Sequence, residues 1–471
     1  MTNSGARSVA ESVAAQSLVL DDLLENGQGV GRSDGLVAFV TGGLPGERVR
    51  VAVDSVKRTY VSAHVVTIES PSADRVDPGC AVFTRCGGCQ TLHYRYEQQL
   101  AWKRRLVADA LERLGGLHDV RVDDTIASPG DPRAGYRNKV SLVTRYAGGA
   151  VRLGFYEARS HRIVGVERCP VLLPRLDAAL VQLVRFAADE PEALGGITHI
   201  VARASSTRDE LVVSFNGDKP NKRLGALTGE LVKRIPALTG VAISWDLAGE
   251  NAVFGRRSAT LWGSPVVRET VAGATFSFGI ASFFQINAAT LELIAQRLCE
   301  RLAGARRIVD LYSGVGTFSV VLGMRGIATT GVESFAPAAG EAAANAAENG
   351  VTNASFEHAD VADAVAGERG RTLLAGADAV VLDPPRKGCE PAVLAALSGN
   401  RVPLVAYISC NPATLARDAK ALTASGYRLD HVSPYDMFPH TGHVETLAEF
   451  TYANDAADDA AAAPEQKIER P

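Results

Sequence analysis

Cys410 stands where an apolar run of the sequence ends, a position at which its thiol could act as a nucleophile. The run from Leu404 to Ile408 indicates a buried strand, and Ser409-Cys-Asn-Pro412 turns the chain directly after it. In open parallel α/β sheets the carboxyl ends of the strands hold the reacting groups. A thiol there becomes a nucleophile when positive charge or backbone amides lower its pKa. Taken alone, the residue could instead be an ordinary buried thiol.

Two other apolar runs lead into polar sequences in the same way. Residues 379–382 run into Asp383-Pro-Pro-Arg386, and residues 307–311 run into the glycine turn Tyr312-Ser-Gly-Val-Gly316. Because parallel strands end at one edge of a sheet, we expect Cys410 to share a crevice with these two sequences.

The glycine turn predicts a cofactor pocket. Its glycines let the backbone approach a ligand closely, and Asp310 would face the amides of the turn. Glu333, at the end of the next predicted strand, is placed to accept hydrogen bonds from a ribose diol. Thr317-Phe-Ser319 departs from the G-x-G-x-x-G pattern, which argues against NAD. The acidic residues before the turn and at the second strand end, Asp310 and Glu333, suit S-adenosylmethionine. A purely structural turn between strand and helix is the alternative.

The elements that position these residues alternate between strand and helix. From about residue 270 onwards, five strand–helix units are followed by two strands about a loop between Tyr427 and Tyr452. This pattern predicts an α/β fold with a doubly wound sheet.

Length and composition restrict the class of protein. The chain has 471 residues and a net charge of −4, so it should divide into domains, and it is not coated in positive charge. No apolar run approaches the roughly 18–20 residues of a membrane helix. The first ten residues lack the pattern of a signal peptide. We therefore expect a cytoplasmic protein with no membrane partner.

Four of the seven cysteines form a candidate metal site. Cys80, Cys86 and Cys89 lie close together in a glycine-containing loop, and Cys169 follows much later. An odd number of cysteines in a chain of this kind favours metal or catalytic roles over disulfides. Four thiolates suit zinc or an iron–sulfur cluster, and a triplet with a distant single favours a 4Fe–4S cluster. Spacing alone does not separate the two, and four unrelated thiols are the third reading.

The amino-terminal third carries features of RNA binding. Residues 13–71 show short β-type runs between glycine-rich turns, which predicts a small barrel. Leu44-Pro-Gly-Glu47, followed by Val49-Arg-Val51, resembles the TRAM domain, an OB-like RNA-binding barrel. Between Arg133 and Arg168 many basic residues alternate with the aromatic residues Tyr136, Tyr146, Phe155 and Tyr156. That mixture is typical of a nucleic-acid face, although a solvated sheet face is the alternative.

Two further regions are predicted to be scaffold. Glu97 to Leu114 has the pattern of an amphipathic helix, with Lys103, Arg104 and Arg105 between its apolar positions. Residues 172–265 continue as mixed α/β structure with few chemical signals. Cys299 and Cys389 are predicted to be packing residues.

Five motifs, in order along the chain, resemble those of the RNA 5-methyluridine methyltransferases. They are Phe283-Phe-Gln-Ile-Asn287, Asp310-Leu-Tyr-Ser-Gly-Val-Gly316, Asp383-Pro-Pro-Arg-Lys-Gly388, Ser409-Cys-Asn-Pro412 and His443-Val-Glu-Thr446. The four cysteines and the barrel resemble the branch that acts on 23S rRNA. The resemblance implies a TRAM-like barrel at 13–71, a central domain with the 4Fe–4S site at 72–268 and a Rossmann-like class I methyltransferase domain at 269–453. The end of the chain at 454–471 is rich in alanine and aspartate and has no periodicity, so we expect a disordered tail there.

The resemblance also implies a role for each site residue. Cys410 is the nucleophile and Glu445 the base of a reaction that methylates C5 of a specific uridine in 23S rRNA, with a tRNA uridine as the alternative substrate. The implied contacts of S-adenosylmethionine are Gln285, Tyr312, Glu333 and Asp383. The implied ligands of the 4Fe–4S cluster are Cys80, Cys86, Cys89 and Cys169. The expected partner is RNA, and we expect a monomer.

Three other functions are weighed against this one. An amino-group methyltransferase acting on adenine or guanine would share a D/N-P-P motif but would need no nucleophilic cysteine. An iron–sulfur RNA-binding protein without catalysis would not bind S-adenosylmethionine. A radical enzyme would use a C-x3-C-x2-C motif, which the sequence lacks.

Overall fold

A computed structural model gives the fold of the chain and describes residue 13 and residues 17–33, 35–131, 135–249 and 252–453. The predicted tail at 454–471 lies outside the described residues. The chain divides into two units. The first contains the residues up to Leu106 together with Asp124–Ala295 and Tyr435–Val444, and the second contains Val107–Asp123, Gln296–Pro434 and the residues from Glu445 onwards. The predicted domain boundaries stay predictions.

The first unit begins with the predicted barrel. Its strands are β1 (Leu18–Leu23), β2 (Gln28–Ser33), β3 (Leu36–Thr41), β4 (Arg48–Val56) and β5 (Tyr60–Ser70). They close in the order β1-β2-β3-β5-β4, with β3 and β5 parallel and the other neighbours antiparallel. Side chains alternate between interior and solvent, as in β1, because successive side chains of a strand point to opposite faces. The barrel interior is filled by Leu18, Leu20, Val40, Val49, Val61 and Ala63.

A seven-stranded sheet forms the middle of the first unit. Its strands are β6 (Lys139–Ala147), β7 (Ala150–Tyr156), β8 (Ile163–Gly165), β9 (Ile197–Ala204), β10 (Leu211–Gly217), β11 (Leu238–Leu247) and β12 (Gly255–Gly263). Their spatial order is β12-β11-β10-β9-β6-β7-β8. A single apolar core joins the sheet to the helices Pro174–Asp189 and Lys222–Arg234. A hairpin of β13 (Val266–Val271) and β14 (Ala274–Gly279) follows.

The predicted nucleic-acid face is only partly exposed. Tyr146 and Tyr156 are open to solvent at 39% and 37% of their surface. Tyr136, by contrast, is buried and donates its hydroxyl to the carbonyl of Pro439 at 3.0 Å, and Phe155 packs against the core. The prediction was therefore wrong for Tyr136, which is buried and cannot stack on RNA bases. Phe155 is half-buried, and its role in RNA binding stays a prediction.

The second unit is the predicted doubly wound sheet. Its strands are β15 (Arg307–Leu311), β16 (Ala328–Glu333), β17 (Ala354–His358), β18 (Ala379–Leu382), β19 (Leu404–Ser409), β20 (Tyr427–Tyr435) and β21 (Glu445–Tyr452). They lie in the order β17-β16-β15-β18-β19-β21-β20. The first five in this order are parallel, and β21 is antiparallel to β19. Strand β18 is a short, fully buried apolar run, as expected for a strand with both faces covered.

Helices connect the parallel strands. Those of the second unit are Thr317–Met324, Ala336–Glu348, Val361–Ala364, Gly367–Leu374, Pro391–Gly399 and Pro412–Ala424. Helices Tyr96–Ala110 and Ala288–Arg301 each begin in the first unit and end in the second. Strand β15 lies between β16 and β18, so the strand order reverses there. Ligands of open α/β sheets bind at such a reversal, outside the carboxyl ends of the strands. Within the described ranges, no helix is long and apolar enough to cross a membrane.

Candidate active site

Cys410 and Glu445 come together at one edge of the second unit's sheet. Cys410 directly follows β19, and Glu445 is the first residue of β21. These strands are antiparallel neighbours, and Ser409 lies opposite Thr446, so the next pair in register is Cys410 and Glu445. Cys410 is half-buried and Glu445 is 1% exposed. The predicted nucleophile and base therefore share one site.

The carboxylate of Glu445 is buried without a hydrogen bond. Neither of its oxygens has a hydrogen-bond partner. Burial raises its pKa well above the ordinary value, and the neighbouring Asp383 raises it further, while Arg386 opposes the shift. A buried polar group without a partner costs on the order of 1–3 kcal/mol. Such a cost in a folded protein points to a function, here the acceptance of a proton.

The same surroundings hold Cys410 in its protonated form. Burial raises the pKa of its thiol to about 11, and the negative charges of Glu445 and Asp383 add to the shift, whereas Arg386 lowers it. The thiol therefore needs a loss of negative charge, or a gain of positive charge, around it before it can attack.

Two further carboxylates lie at the ends of the central strands. Asp310 in β15 is fully buried, and burial together with the charge of Glu333 raises its pKa to about 7. Burial of the carboxylate and the charge of Asp310 raise the pKa of Asp383, which follows β18, also to about 7. One oxygen of Asp310 accepts the amide (3.1 Å) and hydroxyl (2.7 Å) of Ser319. Asp310 was expected to face the amides of the glycine turn. It instead accepts hydrogen bonds from Ser319, in the first turn of the helix that follows the glycine turn.

Glu333 is bound to the glycine turn. Its carboxylate accepts the amide of Gly314 at 3.0 Å and that of Phe335 at 2.7 Å. The amides of Tyr312 and Ser313 both donate to the carbonyl of Val332 at 3.0 Å. Tyr312 has a φ of 68°, a left-handed conformation that non-glycine residues seldom adopt. These hydrogen bonds hold the backbone of the glycine turn against Val332 and Glu333 at the end of β16.

The Asp383 loop is attached to the Cys410 strand by a residue that sequence reasoning missed. Asp418 is buried and accepts hydrogen bonds from the hydroxyl of Tyr407 (2.7 Å) and the amide of Cys389 (2.9 Å). Gly388 has a φ of 75°, and a Cβ there would lie 2.6 Å from the Asp418 carboxylate. Asp418 lies on the helix after Cys410. The one sequence signal for this structural role would have been an aspartate at an inward-facing position of that helix.

Gln285 belongs to the first unit. It lies between β14 and the helix that begins at Ala288, and 8% of its surface is exposed. Its backbone carbonyl accepts the side-chain amide of Asn138 at 3.1 Å, and the amide of Asn138 donates to Ile286. The predicted contact of its side chain with the cofactor stays a prediction.

The four candidate metal ligands line a single cavity of the first unit. Cys80, Cys86, Cys89 and Cys169 surround a space of about 150 Å³. Burial and the charges of the other thiols raise the pKa of Cys89, and burial raises that of Cys169 to about 11. Arg137 lines the same cavity and opposes both shifts. Among the residues that the structure describes, no three His, Cys, Asp or Glu side chains are grouped closely enough to hold a metal ion.

The second unit has the fold of a class I methyltransferase, a doubly wound sheet whose strand order reverses at β15. Its strand ends carry a thiol beside a buried carboxylate. Residues 268–449 match the family described as tRNA (Uracil-5-)-methyltransferase, and residues 18–66 match the TRAM domain. Two relatives are named RNA methyltransferases. One, from Listeria innocua, is 34% identical, and the match covers 92% of this chain and 97% of the relative. The other, from Thermosynechococcus vestitus, is 38% identical, and the match covers 94% of this chain and 99% of the relative. The chain belongs to this family of RNA methyltransferases and is an RNA (uracil-C5)-methyltransferase.

One solved structure matches nearly the full length of the chain. The Pyrococcus abyssi tRNA (uracil-54, C5)-methyltransferase in complex with S-adenosyl-L-homocysteine is 27% identical and superimposes with a TM-score of 0.72. The match covers 93% of this chain and all of the other. These findings favour uracil methylation over the amino-group methyltransferase, the radical enzyme and the RNA-binding protein without catalysis.

Proposed function

We propose that this enzyme uses S-adenosylmethionine to methylate C5 of one uridine in 23S rRNA, through a transient covalent bond between Cys410 and C6 of the base. The observation that supports the proposal is that the register of β19 and β21 places Cys410 beside Glu445, a buried carboxylate whose oxygens have no hydrogen-bond partner. A nucleophile and a base within one pocket are what this reaction requires.

The chemistry explains why both groups are needed. C5 of uracil is a poor nucleophile until the Cys410 thiolate adds to C6 and the electrons of the C5–C6 double bond move onto C5 and the adjoining carbonyl. S-adenosylmethionine, when bound, supplies the methyl group that C5 accepts. Glu445 then removes the proton from C5, the electron pair of that C–H bond restores the double bond, and the thiolate leaves.

The electrostatics of the pocket suit this order of events. Because the pKa of Glu445 is raised, its carboxylate binds a proton more tightly than an exposed glutamate would, which favours removal of the C5 proton. The same carboxylate opposes ionisation of Cys410, whereas Arg386 favours it. Ionisation of the thiol, with release of its proton to solvent, is therefore easiest when Glu445 is protonated. Glu445 must in turn release its own proton to solvent before it can accept the proton from C5.

The cofactor contacts that we propose are Tyr312, Glu333, Asp383 and Gln285. Three of these lie in the second unit, around the reversal of strand order where such sheets bind ligands. Glu333 accepts two backbone amides and the hydroxyl of Ser334, and it retains acceptor capacity for a ribose hydroxyl because a carboxylate offers about four lone-pair sites. The complex of the Pyrococcus relative with S-adenosyl-L-homocysteine supports a ligand of this class.

We also propose that Cys80, Cys86, Cys89 and Cys169 hold a 4Fe–4S cluster. The proposal is supported by the donor set, since four thiols are the ligands that such a cluster takes and all four line one cavity of about 150 Å³ with the positive charge of Arg137 beside them. A cluster would join the loop at residues 80–89 to residue 169 and so stabilise the region near the proposed RNA face. Analysis of iron and inorganic sulfide in anaerobically purified protein tests this, and stoichiometric zinc would overturn it.

The RNA substrate is the finer part of the proposal. The four cysteines and the barrel favour 23S rRNA, while the activity printed for the Pyrococcus relative favours a tRNA uridine as the second candidate. Mass mapping of 5-methyluridine in rRNA and tRNA from a deletion strain, with and without the restored gene, separates the two. A methylated position that disappears from 23S rRNA and returns with the gene supports the proposal, and one that disappears from tRNA supports the alternative.

A further inference from the structure

The segment between β20 and β21, residues 436–444, packs on the loop that carries the cysteines. The carbonyl of His440 accepts two hydrogen bonds, from the amide of Gln90 at 2.9 Å and from the amide of Thr91 at 3.0 Å. Gln90 directly follows Cys89. Residues 436–444, which we call the linking segment, therefore have a direct backbone connection to the candidate cluster loop.

Gln99 joins the two segments a second time. Its side-chain oxygen accepts the amide of His440 at 3.1 Å and the hydroxyl of Thr91 at 3.1 Å. Its side-chain nitrogen donates to the carbonyls of Thr91 (3.0 Å) and Tyr94 (2.7 Å) and lies 3.2 Å from Nδ1 of His440. Gln99 itself is fully buried. One amide thus holds both the loop and the linking segment in a fixed register.

The rest of the linking segment is held just as firmly. Lys103 is fully buried and donates to the carboxylate of Asp436 at 2.5 Å and to the carbonyl of Phe438 at 2.9 Å. His440 has a left-handed φ of 67°, which surrounding contacts must maintain. At Gly442 a Cβ would lie 1.6 Å from the carbonyl oxygen of Glu25, so the backbone passes the barrel without room for a side chain.

The linking segment ends at Val444, and the next residue is the base Glu445. We propose that the cysteine loop acts on Glu445 through the chain itself: residues 90 and 91 hold His440, and the linking segment that contains His440 leads directly into Glu445. This inference rests on the proposed function, because it assigns to the cysteine loop the step in which Glu445 removes the C5 proton. Gln90, Thr91 and Gln99 are positioning residues, since they act through the linking segment.

The inference predicts which step fails when the cysteine loop loosens. Attack by Cys410 and methyl transfer to C5 do not use Glu445, so both should continue. Removal of the C5 proton should slow, and the methylated RNA should remain bonded through C6 to the sulfur of Cys410. A misplaced base would therefore be recognised by an accumulating covalent complex.

The first experiment compares Cys89→Ser with Cys299→Ser in the full-length protein. Cys299, a half-buried thiol on the helix Ala288–Arg301, is a matched control outside the cavity. Hydrogen exchange followed by mass spectrometry should show faster exchange in Cys89→Ser at residues 86–91 and also across 436–444. The control should match the wild type. Faster exchange confined to residues 80–91 would overturn the inference.

The second experiment leaves the cysteines intact, in case Cys89→Ser does not fold. Gln99→Met removes the shared amide while keeping the length of the side chain, and Gln98→Met places the same change on the half-buried neighbouring position. Gln99→Met should retain the wild-type iron content, whereas release of the covalent complex slows on the order of tenfold to a hundredfold. Gln98→Met should release the RNA as the wild type does. Unchanged release from Gln99→Met would overturn the inference.

Glu445→Gln keeps the two proposals apart. This variant cannot accept the C5 proton, so it should accumulate the covalent complex, visible as an RNA-dependent shift on denaturing gels. If Glu445→Gln accumulates the complex and Gln99→Met does not, the positioning role fails while the proposed function stands. If neither Glu445→Gln nor wild-type enzyme with 5-fluorouridine RNA forms a covalent complex, the proposed function itself fails.

Discussion

Asp436 and Glu445, two buried carboxylates near the two ends of residues 436–444, differ in whether they have an oppositely charged partner. Asp436 is paired with Lys103, and the side chains of both residues are fully buried. Glu445 is also buried, yet neither of its oxygens has a hydrogen-bond partner. A paired charge fixes the local structure, whereas an unpaired one costs stability and is retained for chemistry. The comparison teaches that burial alone does not identify a functional carboxylate, and that Glu445 differs from Asp436 in having no hydrogen bond to either oxygen.

The largest effect is expected when the nucleophile of the Glu445 site is removed. Cys410→Ala should lower methylation of RNA by at least about a thousandfold, because no other group in the site can add to C6. Binding of S-adenosylmethionine, measured by calorimetry, should be unchanged, as should the melting temperature. Cys299→Ala is the control. Substantial methylation by Cys410→Ala would rule out the covalent mechanism.

Next comes the unpaired carboxylate itself. Glu445→Gln should lower the rate of product release by about 10²–10⁴-fold, the usual contribution of a general base. Its melting temperature should stay close to that of the wild type, because the buried side chain of Glu445 has no hydrogen bond for the substitution to break. Activity assays measure the rate of product release, and calorimetry measures the melting temperature. A clear fall in melting temperature would mean that Glu445 is a structural residue.

The paired carboxylate should show the reverse pattern. Lys103→Met leaves Asp436 as an uncompensated buried charge, so the free energy of unfolding should fall by about 3–5 kcal/mol. The double variant Lys103→Met/Asp436→Leu should recover most of this loss, because it removes both charges together. Denaturant unfolding measures both variants. Equal losses in the single and the double variant would contradict the pairing.

The smallest effect concerns the thiol of Cys410. Alkylation by iodoacetamide, mapped to this residue by mass spectrometry, should accelerate as pH rises towards its pKa of about 11. Glu445→Gln should lower that pKa, since it removes a neighbouring negative charge that favours the protonated thiol. Arg386→Gln should raise it, since Arg386 favours the thiolate. Shifts in the same direction for both variants would show that these charges do not act on the sulfur.

Local patterns predicted the second unit well. The runs before Tyr312, Asp383 and Cys410 became β15, β18 and β19 with nearly the predicted bounds, because a short apolar run bounded by turn residues carries its own signal. The pairing of β21 with β19, which brings Glu445 to Cys410, depends on contacts between distant residues. The sequence indicated Glu445 only through its resemblance to a family.

The first unit was harder to predict for the same reason. Lys103 lies among basic residues of a predicted amphipathic helix, yet it is buried because Asp436, 333 positions away, neutralises it. Tyr136 was expected on an RNA face, but its hydroxyl finds a carbonyl 303 positions away. No local window of sequence contains both members of such pairs, so neither the burial nor the role of these residues could be inferred.

The closure of the amino-terminal barrel constrains how nucleic acid can bind there. Strands β1 and β4 complete the circle by pairing with each other. Once the barrel is closed, a ligand cannot extend its sheet by adding a further strand, and neighbouring molecules cannot pair edge to edge with it. Selection of a nucleic acid by this module must therefore fall to side chains on its outer surface and to the turns between its strands.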